Sequence, residues 1–396
     1  MNPLHHILRD REQELIAFAQ DLVRIKSYSG QEKEVIMVIA EKMKQLGYDE
    51  VVIDGMGNVL GRIGHGEQVI MFDSHVDTVE VQDEDAWTVP PFSGEIVDGS
   101  LYGRGSVDMK SAAAASIFAG VVAKQMGWEQ GKTIYVSCTV LEEDCDGENL
   151  KHLFKEKNIR PDWMVICEPS NNLITLGHKG KAQMIIRTHG VSAHGSAPEK
   201  GKNAVYEMAE IIQRVEALNN RLFQKKAPRG TLVLSRISSL SASLNAVPFQ
   251  CEIYLDRRMV VGETEETIKE EMEKIIQGKE AAWEIGTLHR TSWTGMPVIY
   301  KPLHPAWKME MEHPLTSACR KAYEKTYGKP PEQYDYWDFS TNAVSTVPLG
   351  IPTIGFGPGE YKLAHMRDEN CRVEQIVEAC QFYATLIEEM NDRPHT

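Results

Sequence analysis

No two cysteines in this 396-residue chain have C-x-x-C spacing, and the seven present are an odd number. A disulfide framework is therefore not expected, and a reducing, cytoplasmic location is. No run of about 18 apolar residues occurs, so nothing is expected to span a bilayer. The N-terminus, MNPLHHILRDREQELIAFAQDLVRI, has no apolar h-region and reads as a charged helix, not a signal peptide. Basic residues are few: 43 Lys and Arg stand against 57 Asp and Glu, a net charge of −14 that argues against a nucleic-acid partner. HExxH, GxSxG and GxxxxGK[ST] are all missing, which excludes a single-zinc helix protease, an elbow-type serine hydrolase and a P-loop NTPase. The acidic run EEDCDGE lacks D-x-D-x-D-G spacing, so it is not a calcium loop.

What is present is a set of acidic and histidine signals in a fixed order. They are SHVD (His75, Asp77), GRGSVD (Asp108), LEED (Glu142, Glu143), CEP (Glu168) and LAH (His365). Three apolar segments, VIMFDSHVDT, TIYVSCTVLEED and WMVICEPS, read as strands that each end in a histidine or carboxylate. In open α/β sheets ligands bind at that C-terminal edge. Helices are predicted over 10–26, 32–46, 108–126 and 373–390. From about residue 181 the texture changes to strands with helices at 202–219 and 263–277. The fold class expected is α/β. A mixed-sheet catalytic domain (1–180 and 296–396) would be interrupted by an α+β insert (181–295).

Each motif has a chemical reading and a plainer one. His75 at a strand tip can ligate a metal, and Asp77 on the same face can accept from its other ring nitrogen. Alone, H-x-D more often marks a loop histidine beside an acid. Asp108 follows two glycines that permit a tight turn, bringing a carboxylate between two ions. A non-proline cis peptide is plausible there. The same side chain could cap the following helix. Adjacent Glu142 and Glu143 repel unless something compensates, and a metal site would use one as ligand and one as general base. The plainer reading is a solvated acidic turn. Glu168 and His365 are weak signals singly. The whole set matches the needs of two divalent ions: oxygen and imidazole ligands, a bridging carboxylate and a free one. In GVSAHGSAPEKGKNA, His194 could donate to an oxyanion. Asn245 and Arg258 could hold a substrate carboxylate.

The order SHVDTV, GRGSVDMK, LEED, CEP, GVSAHGSAPEKGKNA, DRR and GFGPG…AH resembles the M20 metallopeptidases over nearly the whole chain. That family includes acetylornithine deacetylase, succinyl-diaminopimelate desuccinylase, aminoacylase and glutamate carboxypeptidase. EEDCDG, SWTG and DFSTNAVS resemble its selenium-metabolism-linked hydrolase branch. Ser111-Ala112 stand where the family often has two glycines. The resemblance implies that His75, Asp108 and Glu168 bind one ion and Asp108, Glu143 and His365 the other. Zinc is expected, with cobalt or manganese as alternatives. It implies Asp77 as orienter of His75, Glu142 as general base, and Asn245 and Arg258 as lid residues on the substrate. It also implies a ferredoxin-like lid that forms a homodimer and carries His194 into the partner's site. The function expected is amide hydrolysis in a small N-acyl amino acid or short peptide. The alternatives are a dipeptidase or carboxypeptidase, and a non-catalytic peptide- or metal-binding relative.

Overall fold

The computed structural model describes residues 3–390. Its centre is a nine-stranded mixed sheet. Four strands in the middle run parallel: Lys132–Thr139, Gln68–His75, Trp163–Ile166 and Thr353–Gly355. An antiparallel pair, Glu50–Ile53 and Val59–Gly64, extends one side, and Thr175–His178 with its neighbours Trp307–Lys308 and Asp335–Trp337 the other. Both faces are covered, which is why the central strands read as unbroken apolar runs. Ile70, Phe72 and Val165 face the core under helices Pro3–Arg24, Lys110–Met126, Pro314–Tyr327 and Val373–Glu389. Met71, Met164 and Ile166 face the opposite core with Leu150, Leu153 and Trp337. Lys110–Met126 is buried along nearly its whole length, and its alanines let neighbouring helices approach closely.

The chain leaves this body to build a second sheet with its own core. The order is strand Gly180–His189, helix Ala204–Phe223, strands Thr231–Leu240 and Gln250–Met259, helix Glu265–Ile276, strand Ala281–Ile285. The spatial order of the four strands is second, third, first, fourth. Both helices lie on one face, where Met184, Ile186, Ile253 and Leu255 meet Met208, Ile211, Ile268 and Met272. The other face is mixed: Gln183, Arg187, Glu252 and Asp256 share it with Ile185 and, at the edge, Val233 and Leu240. The hairpin of Leu288–Thr291 with Pro297–Tyr300 already belongs to the first core, through Leu288, Trp293, Val298 and Tyr300.

Candidate active site

Each of the four parallel strands delivers a side chain, or a loop, to one place. Gln68–His75 ends in His75. Beyond Thr139 the chain reaches Leu141, a non-glycine residue at φ +58°. This turn starts the one-turn helix Glu142–Cys145, so two successive carboxylates point into the cleft. Glu168 follows Trp163–Ile166, and His365, itself at φ +62°, follows Thr353–Gly355 by a glycine loop. A Cβ on Gly357 would stand 2.4 Å from the carbonyl oxygen of Glu168, so this loop approaches as only glycine allows. Asp108 leaves the GRG turn, where Gly105 has φ +85°, and the Asp108–Met109 peptide is cis.

Asp108 stands between the two histidines. Its Oδ1 is 2.8 Å from His75 Nε2 and its Oδ2 is 3.3 Å from His365 Nε2. Glu168 Oε1 lies 3.6 Å from His75 Nε2, and Glu143 lies 3.1 Å from His365 Nε2. Glu142 Oε2 is 4.0 Å from His75 Nε2. Two overlapping groups, His75-Asp108-Glu143 and His75-Glu142-Glu168, each place their ligand atoms within 4.8 Å of one another.

Burial holds the carboxyls of Glu142 and Glu168 well above the ordinary range, and repulsion from neighbouring carboxylates adds to it. Glu143 is raised for the same two reasons. Burial alone would lower His365, but its contacts with Asp108 and Glu143 push it up to about 11. His75 is likewise raised well above its usual value, against burial, by Glu168 and Asp108. The cluster is therefore short of positive charge, and what its carboxyls face directly is the imidazole nitrogens of His75 and His365. Divalent cations would take the place of those protons, and the oxygen and nitrogen donors suit them. The His75 Nδ1 hydrogen bond, to the main-chain oxygen of Asp77 at 3.0 Å, leaves the Nε2 lone pair facing the cluster.

Asp77 departs from its expected contact. Its carboxylate is 3.6 Å from His75 Nδ1, beyond hydrogen-bond length. It accepts instead from the main-chain N–H of Glu142 at 3.0 Å and of Glu143 at 3.1 Å, and from Ser29 Oγ at 2.7 Å. The turn after Lys132–Thr139 leaves those amides without strand partners, and buried amides demand acceptors. Asp77 thus fixes the Glu142-Glu143 pair.

Arg258 lines the same cleft, a cavity of about 260 Å³. His194 and Asn245 do not. They share a separate concavity on the insert, where Gly195 N–H donates to the Asn245 carbonyl at 2.6 Å.

Several supporting residues were not anticipated. Glu369 is fully buried and accepts from the amides of Gly105, Val107 and Asp108 at 2.9–3.1 Å. It also takes Arg104 Nη1 at 2.5 Å, while Arg104 Nη2 reaches the His365 carbonyl at 3.3 Å. One ion pair therefore ties the Asp108 turn to the His365 loop. Glu32 accepts from Leu141 N–H at 3.1 Å. Burial, then the charge of Asp77, pushes its carboxyl up to about 8. Asp146, Lys181, Phe339, Ser340 and Tyr361 also line the cleft. The available signal was position: Arg104 lies inside GRGSVD and Glu369 four residues after His365.

A mixed-sheet α/β body with an acid-and-imidazole cluster at its carboxyl edge defines a metal-binding hydrolase. The sequence pattern described as peptidase family M20/M25/M40 matches residues 71–389, and the chain belongs to that family. Its members are metallopeptidases and amidohydrolases, and this chain is a hydrolase of that type. The chain is 37% identical to Escherichia coli YgeY, an uncharacterized protein, over 96% of this chain and 94% of that one. It is 26% identical to succinyl-diaminopimelate desuccinylase of Stenotrophomonas maltophilia, over 89% and 92%. Its fold matches Bacillus subtilis YXEP, a dinuclear metal-binding peptidase, with a TM-score of 0.69 at 16% identity, covering 96% and 98%.

Proposed function

We propose that this protein hydrolyses the amide bond of a small N-acyl amino acid or short peptide, with Glu142 as general base. The observation that carries the reading is the placement of Asp108 between His75 and His365, with Glu142 further out, 4.0 Å from His75 Nε2. His75, Asp108 and Glu168 would hold one divalent ion, and Asp108, Glu143 and His365 the other. Zinc is the metal we favour for this nitrogen-and-oxygen set, and cobalt and manganese fit the same donors. Such ions, when bound, supply Lewis acidity for the scissile carbonyl and lower the pKa of a water toward ~7.

Glu142 then accepts the proton of the attacking water and returns it to the leaving nitrogen. The products are a carboxylic acid and an amine. Its position beside His75, 4.0 Å from Nε2, puts it within reach of a water held by such ions. Asp77 positions it through the main chain.

We assign the segment 181–295 as a ferredoxin-like lid and dimerisation insert in a catalytic domain of 1–180 and 296–396. Edge strand Thr231–Leu240 supports a second copy of the chain as partner. It exposes Val233, Ile237 and Leu240, each more than half exposed, and Leu244 beyond it is fully exposed. An apolar sheet edge of this kind calls for a covering strand. The separate concavity of His194 and Asn245 fits delivery to the partner's cleft, where His194 would donate to the oxyanion. Arg258 would hold the substrate carboxylate in its own cleft. Among the described residues no helix is long and apolar enough to cross a membrane. All seven cysteines are buried and free, which fits the cytoplasmic location we favour.

The test is Glu142→Gln assayed beside the parent on a panel of N-acyl amino acids and dipeptides, with metal content measured in both. Two ions retained and turnover down by ~10²–10⁴ is the expected outcome. Undiminished turnover removes Glu142 from the role of base.

A further inference from the structure

The acidic turn that carries Glu142 and Glu143 is too short to hold its own shape. The helix Glu142–Cys145 is one turn long, closed by Cys145 N–H on the Leu141 carbonyl at 2.9 Å. A helical nucleus of that length is unfavourable alone, and its entry residue, Leu141, is left-handed. Contacts from elsewhere must hold it. Glu32 and Asp77 take the amides of Leu141, Glu142 and Glu143. The next two acids of the run, Asp144 and Asp146, are met by a different element, the hairpin of Leu288–Thr291 with Pro297–Tyr300. Arg290 Nε donates to Asp144 Oδ2 at 2.6 Å, and the Tyr300 hydroxyl donates to Asp146. Lys181 and Ser340 also donate to Asp146, at 2.7 and 2.5 Å.

The chain enters that hairpin from the second sheet and returns to the second sheet after it. The strand before, Ala281–Ile285, and the strand after, Leu303–His304, both pair with Gly180–His189. The hairpin itself packs into the first core through Leu288, Trp293, Val298 and Tyr300. Its tip, the SWTG segment 292–295, is fastened to the turn between Glu50–Ile53 and Val59–Gly64. There Trp293 Nε1 donates to the Gly57 carbonyl at 3.1 Å and Thr294 Oγ1 to the Gly55 carbonyl at 2.7 Å. A Cβ on Gly57 would lie 2.1 Å from Trp293 Nε1, so the indole seats only on glycine. The Thr291 carbonyl, 3.0 Å from where a Cβ on Gly30 would stand, touches the loop that holds Glu32. The hairpin thus joins the second sheet, the acidic turn and the edge of the first sheet.

We propose that this hairpin braces the Glu142-Glu143 turn, and that Arg290, acting through Asp144, is a positioning residue for the base and for the Glu143 ligand. Successive residues of a helix point ~100° apart. Glu142 and Glu143 line the cleft, and Asp144 is turned out of it to Arg290. A displacement of the second sheet would reach the turn along the same hairpin, because both hairpin ends are tied to that sheet. The proposal rests on the amide-hydrolase reading and adds to it a residue outside the cleft. The plainer role is a surface ion pair. Arg290 and Asp144 are 38% and 36% exposed, and pairs so exposed add little to stability. A surface pair leaves metal binding and turnover untouched, whereas a brace governs both.

The probe is cobalt(II), followed by its visible absorbance as it is titrated into the metal-free full chain. Glu143→Gln marks the step that depends on that ligand. Arg290→Met should weaken this step about 10-fold and leave the other within about 3-fold. Asp144→Asn should match it, and R290M/D144N should lose no more than either alone, since all three remove one contact. Arg290→Lys should recover most of the affinity. All four variants should melt within about 2 °C of the parent without metal. With the N-acyl amino acid or dipeptide that the parent hydrolyses fastest, Arg290→Met should lower kcat about 10-fold and change KM by less than about 3-fold. Unchanged metal steps, or an unchanged kcat, would overturn the proposal. Equal weakening of both steps with a large fall in Tm, or losses that add in R290M/D144N, would overturn it too. Selective loss of the Glu143 step in a chain that hydrolyses none of the panel would sustain the brace and count against the hydrolase reading. Hydrolysis by the parent that neither single variant alters would do the reverse.

Discussion

Replacing Glu369 by glutamine tests whether the buried clamp, and not the turn sequence alone, holds the Asp108 loop. The carboxylate has one oxygen on three main-chain amides and the other on Arg104. A carboxamide offers one acceptor and one donor. If its oxygen faces the amides, its NH2 meets the Arg104 cation. If it flips, the NH2 meets three N–H donors. Either way Arg104, 5% exposed, loses its counter-ion. Removing one partner of a buried pair costs ~3–5 kcal/mol. At ~1–2 °C per kcal/mol for a chain of this size this is a fall of roughly 3–10 °C in Tm.

The same change should reach the ligands. Arg104 also holds the His365 carbonyl, so Asp108 and His365 loosen together. Outer-shell partners of this kind are worth ~10–100-fold in metal affinity. The assay is thermal unfolding of the metal-free chain, followed by stepwise zinc titration. The step assigned to Asp108, Glu143 and His365 should weaken more than the one assigned to His75 and Glu168. A variant that melts within a degree of the parent and takes up both ions with unchanged affinity would refute the clamp.

Other outcomes follow from the same geometry. Chelation should lower Tm, because it leaves buried carboxylates facing one another, and zinc at ~100 times its Kd should return about 2.7 kcal/mol per ion; a Tm indifferent to chelator would mean that no ion bears on the fold. With the insert pairing two copies as proposed, His194→Ala and Glu142→Gln should each be inactive, yet recover activity when mixed and allowed to exchange, because one site of the mixed pair has both residues. No recovery despite proven exchange places His194 elsewhere. Burial lowers His178 and His304 to about 4, so both are neutral in the fold while the unfolded chain takes up protons near 6.5. Their contribution is present above pH 6.5 and lost as pH falls toward 4, by up to ~3 kcal/mol each. Raised carboxyls such as Glu32 act in the opposite sense over this range, so the test is differential: the urea midpoint of the parent relative to that of His304→Gln should fall between pH 7 and 5, and a difference that does not change with pH would remove His304 from the account.

Much of this molecule is legible in its sequence where physics acts over short range. The helices predicted at 10–26, 32–46, 108–126 and 373–390 correspond to Pro3–Arg24, Lys33–Gln45, Lys110–Met126 and Val373–Glu389. Helical periodicity is local, so it survives reading one chain. The strand tips were legible because a buried parallel strand is an apolar run, and an acid or histidine at its end breaks the run. Arg104 and Glu369 meet across 265 positions of sequence, and Lys181 meets Asp146 from another sheet. Each reads alone as an ordinary surface charge. The amides that Asp77 accepts were not visible for a related reason. Strand alternation gives the side a residue faces, but not the turn amides that compete for its oxygens.

Part of the misfit between local preference and structure lies at the chemistry. Leu141 and His365 hold left-handed backbone that β-carbon sterics disfavour, at ~1–3 kcal/mol each. One directly precedes Glu142, and the other is a candidate ligand. Around them sit carboxyls whose burial is unfavourable until positive charge arrives. Glu32, Asp77 and Glu369 offset part of this by taking the free amides of these turns. Conformation and charge are thus unfavourable together in these few residues, whereas the other left-handed non-glycine positions, Asp98, Asn158, Asn171, Asn172 and Asp368, are aspartates and asparagines, which tolerate that backbone. That is the distribution expected when a scaffold is fixed by ordinary packing and its cleft is set for a bound cation and a small anion.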